Sequence, residues 1–193
     1  MKVTEEAMIQ HQKEVSLEVL NKLRILDKNP FLAGGAVRDW YFGKEAKDLD
    51  IFIQDQGSDS YFYTKRFVED VLESEFKRLG PDDNILKIYE SNPNISRVCQ
   101  TKYNGCTIQL ISTTQRDGIV KTFPFGICMA GMNHKGQMFY TKAFHQEVKY
   151  KSLVIRNPLY KDREKYVSKI QSYFPDWKFF KSTDDFLEYL TNE

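Results

Sequence analysis

Two aspartates separated by one residue are the strongest candidates for chemistry in the sequence. Asp48 and Asp50 begin a segment whose next three residues, 51–53, are all apolar, which is typical of a β-strand. Because alternate side chains of a strand point to one face, both carboxylates would face the same side of a sheet. Mg²⁺ prefers one or two carboxylates together with substrate phosphates. The pair therefore predicts a magnesium site with Asp48 and Asp50 as ligands.

A second group of candidates precedes the aspartates. Gly34 and Gly35 follow the apolar segment 31–33, which predicts a strand, a tight turn and then a helix. Glycines at such a turn let phosphate oxygens approach backbone N–H groups directly. Arg38 can donate a forked pair of hydrogen bonds to the same phosphates, and Asp39 can orient it. Together with the aspartates, these residues predict a nucleoside triphosphate site.

Each of these residues also has an interpretation without chemistry. Two glycines and an arginine can form a plain strand-to-helix turn, and two aspartates can begin a solvated strand. Asp39 is favoured early in a helix by the helix dipole alone. Lys47 can contact phosphate or be solvated in its loop, and so can the basic residues over 156–169. The joint pattern favours the nucleotide site, where two Mg²⁺ ions would support displacement at the α-phosphorus.

Composition places this site in an ordinary folded protein. The chain has 193 residues, of which 28 are basic and 27 acidic, so no strong overall field draws it to a polyanion or a membrane. Its three cysteines have no CxxC spacing, which indicates reduced thiols. We find neither a signal peptide nor the roughly 20 apolar residues of a membrane span. The expectation is a cytoplasmic protein without a membrane partner.

Periodicity and helix breakers predict the elements that position the site. Helices are predicted over 4–28, 36–42, 61–79 and 162–173 and after Ser182, strands over 31–33 and 48–53, and hairpins around Asn104-Gly105 and Lys135-Gly136. We predict an α+β (α/β-like) fold with a small mixed β-sheet and helices packed on one face. The domain would cover residues 1–150, and a C-terminal helical extension would cover residues 151–193.

The segment FLAGGAVRDWYFGKEAKDLDIFI, residues 31–53, resembles the head domain of the tRNA nucleotidyltransferase and poly(A) polymerase family, within the DNA polymerase β superfamily. The resemblance is close over this segment and faint but orderly to about residue 145. It implies a nucleotidyltransferase fold. In that fold Gly34, Gly35 and Arg38 would hold the triphosphate, and Asp48 and Asp50 would bind catalytic magnesium.

The chain departs from this family at two positions. Residues 108–111 followed by Arg116 are similar to a later family strand that carries an acidic residue and then an arginine. This likeness implies a nucleotide contact for Arg116, and it places Gln109 where a third carboxylate is common. Residues 121–129 resemble an arginine-aspartate-phenylalanine-threonine strand of the family, with Pro124 in place of the aspartate.

The parts of the family that serve CCA addition have no counterpart in the sequence. The motif that selects CTP and ATP is absent, and the chain is too short for the helical domains that hold tRNA. We therefore do not expect CCA addition. The chain is more similar to stand-alone head-domain proteins, some of which are encoded by large bacteriophages.

Two functions stay open from the sequence. The first is magnesium-dependent transfer of a nucleotide, with AMP expected and Mn²⁺ able to replace Mg²⁺, from NTP to a hydroxyl of RNA, protein or a small molecule. The second is a catalytically degenerate relative that binds nucleotide or a protein, for example as an inhibitor. Gln109 and Pro124 favour the second. The acceptor, the preferred NTP and the oligomeric state are left open.

Overall fold

The computed structural model of the chain describes residues 4–55, 57, 59–79, 92–116, 118–160 and 164–192. Its α-helices are α1 (Glu5–Leu23), α2 (Gly35–Tyr41), α3 (Ser60–Arg66), α4 (Lys142–Tyr150), α5 (Glu164–Tyr173) and α6 (Thr183–Asn192). Its strands are β1 (Phe31–Ala33), β2 (Leu49–Gln54), β3 (Lys77–Arg78), β4 (Ile95–Tyr103), β5 (Cys106–Thr113), β6 (Ala130–Asn133), β7 (Met138–Tyr140), β8 (Ser152–Val154) and β9 (Lys178–Phe180). Short 3₁₀ turns cover Ile119–Thr122, Gly126–Cys128 and Pro158–Tyr160.

Seven strands form one mixed sheet in the order β3-β4-β5-β2-β1-β6-β7. β2 and β5 run parallel, and the other neighbouring pairs are antiparallel. In this register Asp50 lies beside Gln109 of β5, which in turn lies opposite Gln100 of β4. β8 and β9 form a separate parallel pair. A mixed sheet in an α+β domain is the predicted fold class.

The two faces of the seven-stranded sheet are covered differently. Ile51 and Leu110 belong to the main core, together with apolar residues of α1 and α2. Phe52 and Ile111 point the other way into a smaller apolar cluster that includes residues of the 3₁₀ turn Ile119–Thr122. Asp50, two residues before Phe52, shares this second face. The strand that carries the aspartates therefore has α1 and α2 on one side and its carboxylates on the other.

Both predicted hairpins are confirmed. β4 and β5 are antiparallel around Asn104 (φ 46°) and Gly105 (φ 79°), the positive angles that a type I′ turn requires. β6 and β7 are antiparallel, with Gly136 at φ 76° between them. Asn-Gly suits the first turn by its backbone preference, and in the second turn Asn133 Oδ1 also accepts hydrogen bonds from the backbone N–H groups of Lys135 (2.9 Å) and Gln137 (3.0 Å).

The predicted helix over 61–79 is wrong in its second half. α3 ends at Arg66, a π-helical turn continues to Val71, and Glu73 takes a positive φ of 48°. Beyond it the chain pairs with β4, where Lys77 lies opposite Gln100. The edge of the sheet thus offers hydrogen bonds that outweigh the helical pattern. Gly80 and Pro81, the helix-breaking residues that follow the predicted helix, lie outside the described residues.

The C-terminal part contains strands as well as the predicted helices. α5 begins at Glu164 and α6 follows Ser182, whose Oγ accepts a hydrogen bond from the Asp185 N–H (3.1 Å). α4 and the β8–β9 pair were not predicted. Leu153 of β8 is fully buried in the main core. The division of the chain at residue 150 stays a prediction. No helix within the described ranges is both long and apolar enough to cross a membrane.

A buried carboxylate ties Arg156, in the C-terminal part, to the 3₁₀ turn Gly126–Cys128. Glu147 of α4 accepts hydrogen bonds from the backbone N–H groups of Gly126 (2.9 Å) and Ile127 (2.8 Å) and from Arg156 Nε (2.9 Å). The backbone N–H of Arg156 donates to the Pro124 carbonyl (2.8 Å). Burial raises the pKa of the Glu147 carboxyl to about 7, and the Arg156 charge and the two N–H donors oppose this rise only in part.

The raised pKa of Glu147 predicts a pH dependence of stability. Between its ordinary value of 4.5 and its folded value of about 7, the native protein holds a proton that the unfolded chain releases. The free energy of unfolding should therefore fall as the pH rises through this window, by about 3 kcal/mol at most. Urea unfolding at several pH values should show this fall in the free energy of unfolding. In Glu147→Gln, the fall between pH 4.5 and about 7 should be smaller by the contribution of Glu147. Equal slopes for the two proteins would contradict the prediction.

Candidate functional site

The glycine turn, Gly34 and Gly35, faces the strand that carries the aspartates. Gly34 has φ 90° and ψ −130°, and its N–H donates to the Ala130 carbonyl (3.0 Å). A Cβ atom on Gly34 would lie 3.5 Å from Phe123 Cε2 and 3.9 Å from Asp50 Oδ2. The turn therefore needs glycine for its backbone angles. It also places its backbone close to one of the carboxylates.

Arg38 is held in place by its neighbours although it is almost fully buried. Its Nε and Nη2 donate to Asp39 Oδ1 (2.8 and 2.7 Å), and its Nη1 donates to Cys128 Sγ (3.4 Å). The guanidinium also lies 5.1 Å from the ring centre of Tyr173 in α5, within the range of a cation–π contact. Burial raises the pKa of the Asp39 carboxyl, and the Arg38 charge opposes this rise. Asp39 thus orients the Arg38 fork.

Asp48 and Asp50 lie half-buried at the start of β2. Gln109 is 2% exposed, lies beside Asp50 in the ladder, and its Nε2 is 3.5 Å from Asp48 Oδ2. Among the described residues, no group of three or more His, Cys, Asp or Glu side chains is placed to hold a metal. Two carboxylates beside an open pocket nevertheless fit Mg²⁺, because substrate phosphates can complete its coordination.

One pocket brings together seven of the eight predicted site residues. Its lining includes Gly34, Gly35, Arg38, Asp39, Lys47, Asp48 and Asp50. Lys47 is exposed at the rim. Gln109 and Cys128 also line the pocket, and Phe52, Phe123 and Pro124 form an apolar side. A cavity with carboxylates and cations on one side and aromatic surface on another suits a ligand that has both phosphate and ring parts.

The structure does not bring Arg116 to this pocket. Its guanidinium forms an ion pair with Asp27, whose side chain is 2% exposed. Asp27 also accepts hydrogen bonds from the backbone N–H groups of Gln54 (2.8 Å) and Asn29 (3.0 Å). Arg116 therefore holds the chain after β5 against the segment that follows α1. Asp117, the next acid along the chain, lies outside the described residues.

The far wall of the pocket was missed by sequence reasoning. Four residues of α5 line it: Tyr166, Lys169, Ile170 and Tyr173. Consecutive members of this set are three, one and three residues apart in the sequence, which places all four on one face of the helix. This periodicity was visible in the sequence, but it cannot say what the face contacts. The basic stretch around Lys169 is therefore partly a pocket wall.

Comparison of the sequence with protein-family models and with curated proteins gives no match. Solved structures do match the fold. A tRNA-processing enzyme in apo form I is 15% identical at a TM-score of 0.62, covering 100% of this chain and 48% of its own. The Thermotoga maritima CCA-adding enzyme complexed with tRNA is 17% identical at a TM-score of 0.59. The match covers 89% of this chain and 40% of that enzyme.

A third neighbour is a tRNA nucleotidyltransferase complexed with a primer tRNA and an incoming ATP analogue. It is 15% identical at a TM-score of 0.58, covering 90% of this chain and 50% of its own. The chain thus spans about half or less of the length of these three proteins. At this level of identity the likeness concerns the fold, and the chain has a nucleotidyltransferase-like fold.

The position of Gly34 predicts that an added methyl group affects the pocket as well as the backbone. Gly34→Ala should lower the free energy of unfolding by about 1–3 kcal/mol, because its angles disfavour any L side chain. If the pocket holds NTP, the change should also weaken that binding, because the methyl would take up space beside Asp50 that phosphate oxygens would need. Urea unfolding and calorimetry with NTP measure the two effects.

Gly43→Ala is the matched control. Gly43 also has a positive φ (70°), and a Cβ there meets nothing within 4 Å. It should lose stability and keep its affinity for NTP. Equal NTP affinity of Gly34→Ala and Gly43→Ala would show that the turn is not part of a nucleotide site.

Proposed function

We propose that the chain is a magnesium-dependent nucleotidyltransferase, which transfers the nucleoside monophosphate of an NTP, with AMP expected, to a hydroxyl acceptor and releases pyrophosphate. The observation that carries this proposal is the meeting of the glycine turn, the oriented Arg38 and two carboxylates in one pocket. The nucleotidyltransferase-like fold supports the same reaction class. Fold alone does not fix function, so the proposal depends on the site.

Asp48 and Asp50 would hold the magnesium of the incoming NTP. When bound there, Mg²⁺ supplies charge neutralisation for the phosphates and lowers the pKa of the acceptor hydroxyl. The chain's own part is to present two oxygen ligands, Asp50 in β2 and Asp48 directly before it. β2 is buried directly after them, since Ile51 and Phe52 are 0% and 1% exposed. The carboxylates therefore need little rearrangement on binding.

The other groups of the pocket would bind and orient the nucleotide. Gly34 and Gly35 leave room for phosphate oxygens near the backbone, and Arg38 adds a permanent positive charge beside them. Lys47 at the rim would contact phosphates by charge. On the far wall, Lys169 and the aromatic rings of α5 would contact the remainder of the nucleotide. These contacts would hold the α-phosphorus in line with an acceptor.

We propose an RNA hydroxyl as the acceptor to test first. The neighbours with this fold include proteins complexed with tRNA. The near-neutral charge of the chain, +1, means that RNA would be attracted by local cations rather than by the whole surface. Protein and small-molecule acceptors are alternative outcomes of the labelling experiment.

Replacing either carboxylate should remove the activity. Asp48→Asn and Asp50→Asn each exchange an ionised ligand for a neutral amide, which binds Mg²⁺ weakly. Incubation of α-labelled NTP with cellular RNA and protein extract should give a labelled product with the wild-type chain and none with either variant. Asp176→Asn, which changes an exposed acid, should label normally. Labelling that survives both site changes would locate the reaction elsewhere.

A second candidate function is nucleotide binding without turnover, and Gln109 favours it. A carboxylate at this position would be a third metal ligand, whereas the Gln109 amide directs its N–H toward Asp48. The pocket would then hold NTP with its metal and lack the ligand for a second ion. Wild-type binding without labelled product would support this function over the first.

Gln109→Glu should raise the affinity for Mg²⁺ in the presence of NTP by about tenfold, because it adds a charged oxygen ligand beside Asp48. Without Mg²⁺ the same change should lower the melting temperature, because like charges are brought together. Calorimetric Mg²⁺ titration and thermal unfolding measure the two effects.

Gln100→Glu is the matched control for this change. Gln100 lies opposite Gln109 but one strand farther from β2. Its replacement should leave the Mg²⁺ affinity unchanged. If Gln109→Glu also binds Mg²⁺ like the wild-type chain, position 109 does not face the metal.

A further inference from the structure

A glutamine outside the pocket connects the two sides of the candidate site. Gln12 of α1 is 4% exposed. Its Oε1 accepts hydrogen bonds from Trp40 Nε1 (2.9 Å) and from the Ala46 N–H (2.9 Å). Its Nε2 donates to the Ala46 carbonyl (2.7 Å) and lies 3.5 Å from Glu45 Oε1. A single side-chain amide therefore uses its full hydrogen-bonding capacity.

The partners allow only one orientation of this amide. Trp40 and Ala46 both present N–H groups to the same atom, which must be the oxygen, and the Ala46 carbonyl requires the nitrogen. Gln12 thus pairs with the N–H and the C=O of one residue, as a neighbouring strand would do. Without the amide, these buried groups would lose their partners.

The residues that Gln12 holds lie next to the site on both sides. Trp40 follows Arg38 by two residues in α2, and Ala46 precedes Asp48 by two residues before β2. Residues 42–48 between them form neither helix nor strand. Backbone hydrogen bonds to α2 hold residues 42–44, and the hydrogen bonds of Gln12 hold residue 46. Gln12 therefore links the segment before Asp48 to α2, which carries Arg38.

We infer that Gln12 is a positioning residue for the site, a role that rests on the proposed function. It does not line the pocket; it holds Ala46, and through Ala46 the approach to Asp48, against α2. Metal ligands whose supporting hydrogen bonds are removed lose about 10–100-fold in metal affinity. Gln12 acts one step farther away, through Ala46, so loss of its amide should weaken magnesium-dependent NTP binding by about tenfold, the lower end of this range.

Ser16 provides a matched control on the same helix. Its side chain is fully buried, one turn after Gln12, and its hydroxyl donates to the Gln12 carbonyl within α1 (2.7 Å). Ser16→Ala therefore removes a buried hydrogen bond from α1 without touching the loop before β2. It separates general loss of stability from loss of positioning.

The experiment compares the wild-type chain, Gln12→Met, Gln12→Glu and Ser16→Ala at a temperature where circular dichroism shows each to be folded. NTP affinity is measured by calorimetry over a range of Mg²⁺ concentrations. Gln12→Met should lose about 10-fold or more in affinity at fixed Mg²⁺. Gln12→Glu keeps the acceptor for Trp40 and the Ala46 N–H, but it places a carboxylate oxygen against the Ala46 carbonyl and Glu45, so it should lose affinity as well. Ser16→Ala should match the wild-type chain.

Hydrogen exchange gives a second measurement that does not depend on a ligand. Backbone amides of residues 44–49 should exchange faster in both Gln12 variants than in Ser16→Ala. Wild-type affinity in Gln12→Met, or equal losses in Gln12→Met and Ser16→Ala, would overturn the positioning role alone. Absence of magnesium-dependent NTP binding by the wild-type chain would overturn the proposed function, and this role with it.

Discussion

Strand β2 is buried on both faces from Ile51 to Ile53, which are 0% and 3% exposed. A strand in this position cannot slip by one residue, because a slip would exchange the faces of every side chain and drive carboxylates into the main core. The parallel pairing with β5 then places Gln109 beside Asp50. The candidate chemistry of the chain depends on this one register.

Three buried polar side chains fix the loops around this strand. Gln12 holds the loop before β2, Asp27 holds the chain that follows β2 and β5, and Glu147 holds the turn that contributes Pro124 to the pocket. Each accepts hydrogen bonds from backbone N–H groups, which would be costly to bury alone. Each lies outside the carboxylate pair and acts through the peptide backbone. The loops around the site are therefore held from the core side, while Arg38 is oriented within the site by Asp39.

The pocket itself is closed by parts of the chain that are distant in sequence. α5 places Lys169 and Tyr173 opposite the sheet, and Tyr173 contacts the Arg38 guanidinium. The Arg38 guanidinium thus contacts both the adjacent Asp39 carboxylate and the Tyr173 ring. It also lies beside the glycine turn. A nucleotide in this pocket would exchange its hydration for contacts that are already oriented.

The sequence by itself determined the local parts of this protein: the glycine turn, the Asn104-Gly105 hairpin and the strand that follows Asp48. Each follows from backbone preference or from alternation within a few residues. Only the tertiary structure decided that β3 forms where the sequence predicts the end of the helix over 61–79. The same is true of the pairing of Arg116 with Asp27 and of the place of α5 in the pocket wall. These outcomes depend on contacts between residues far apart in the chain, for which periodicity gives a face but not its partner.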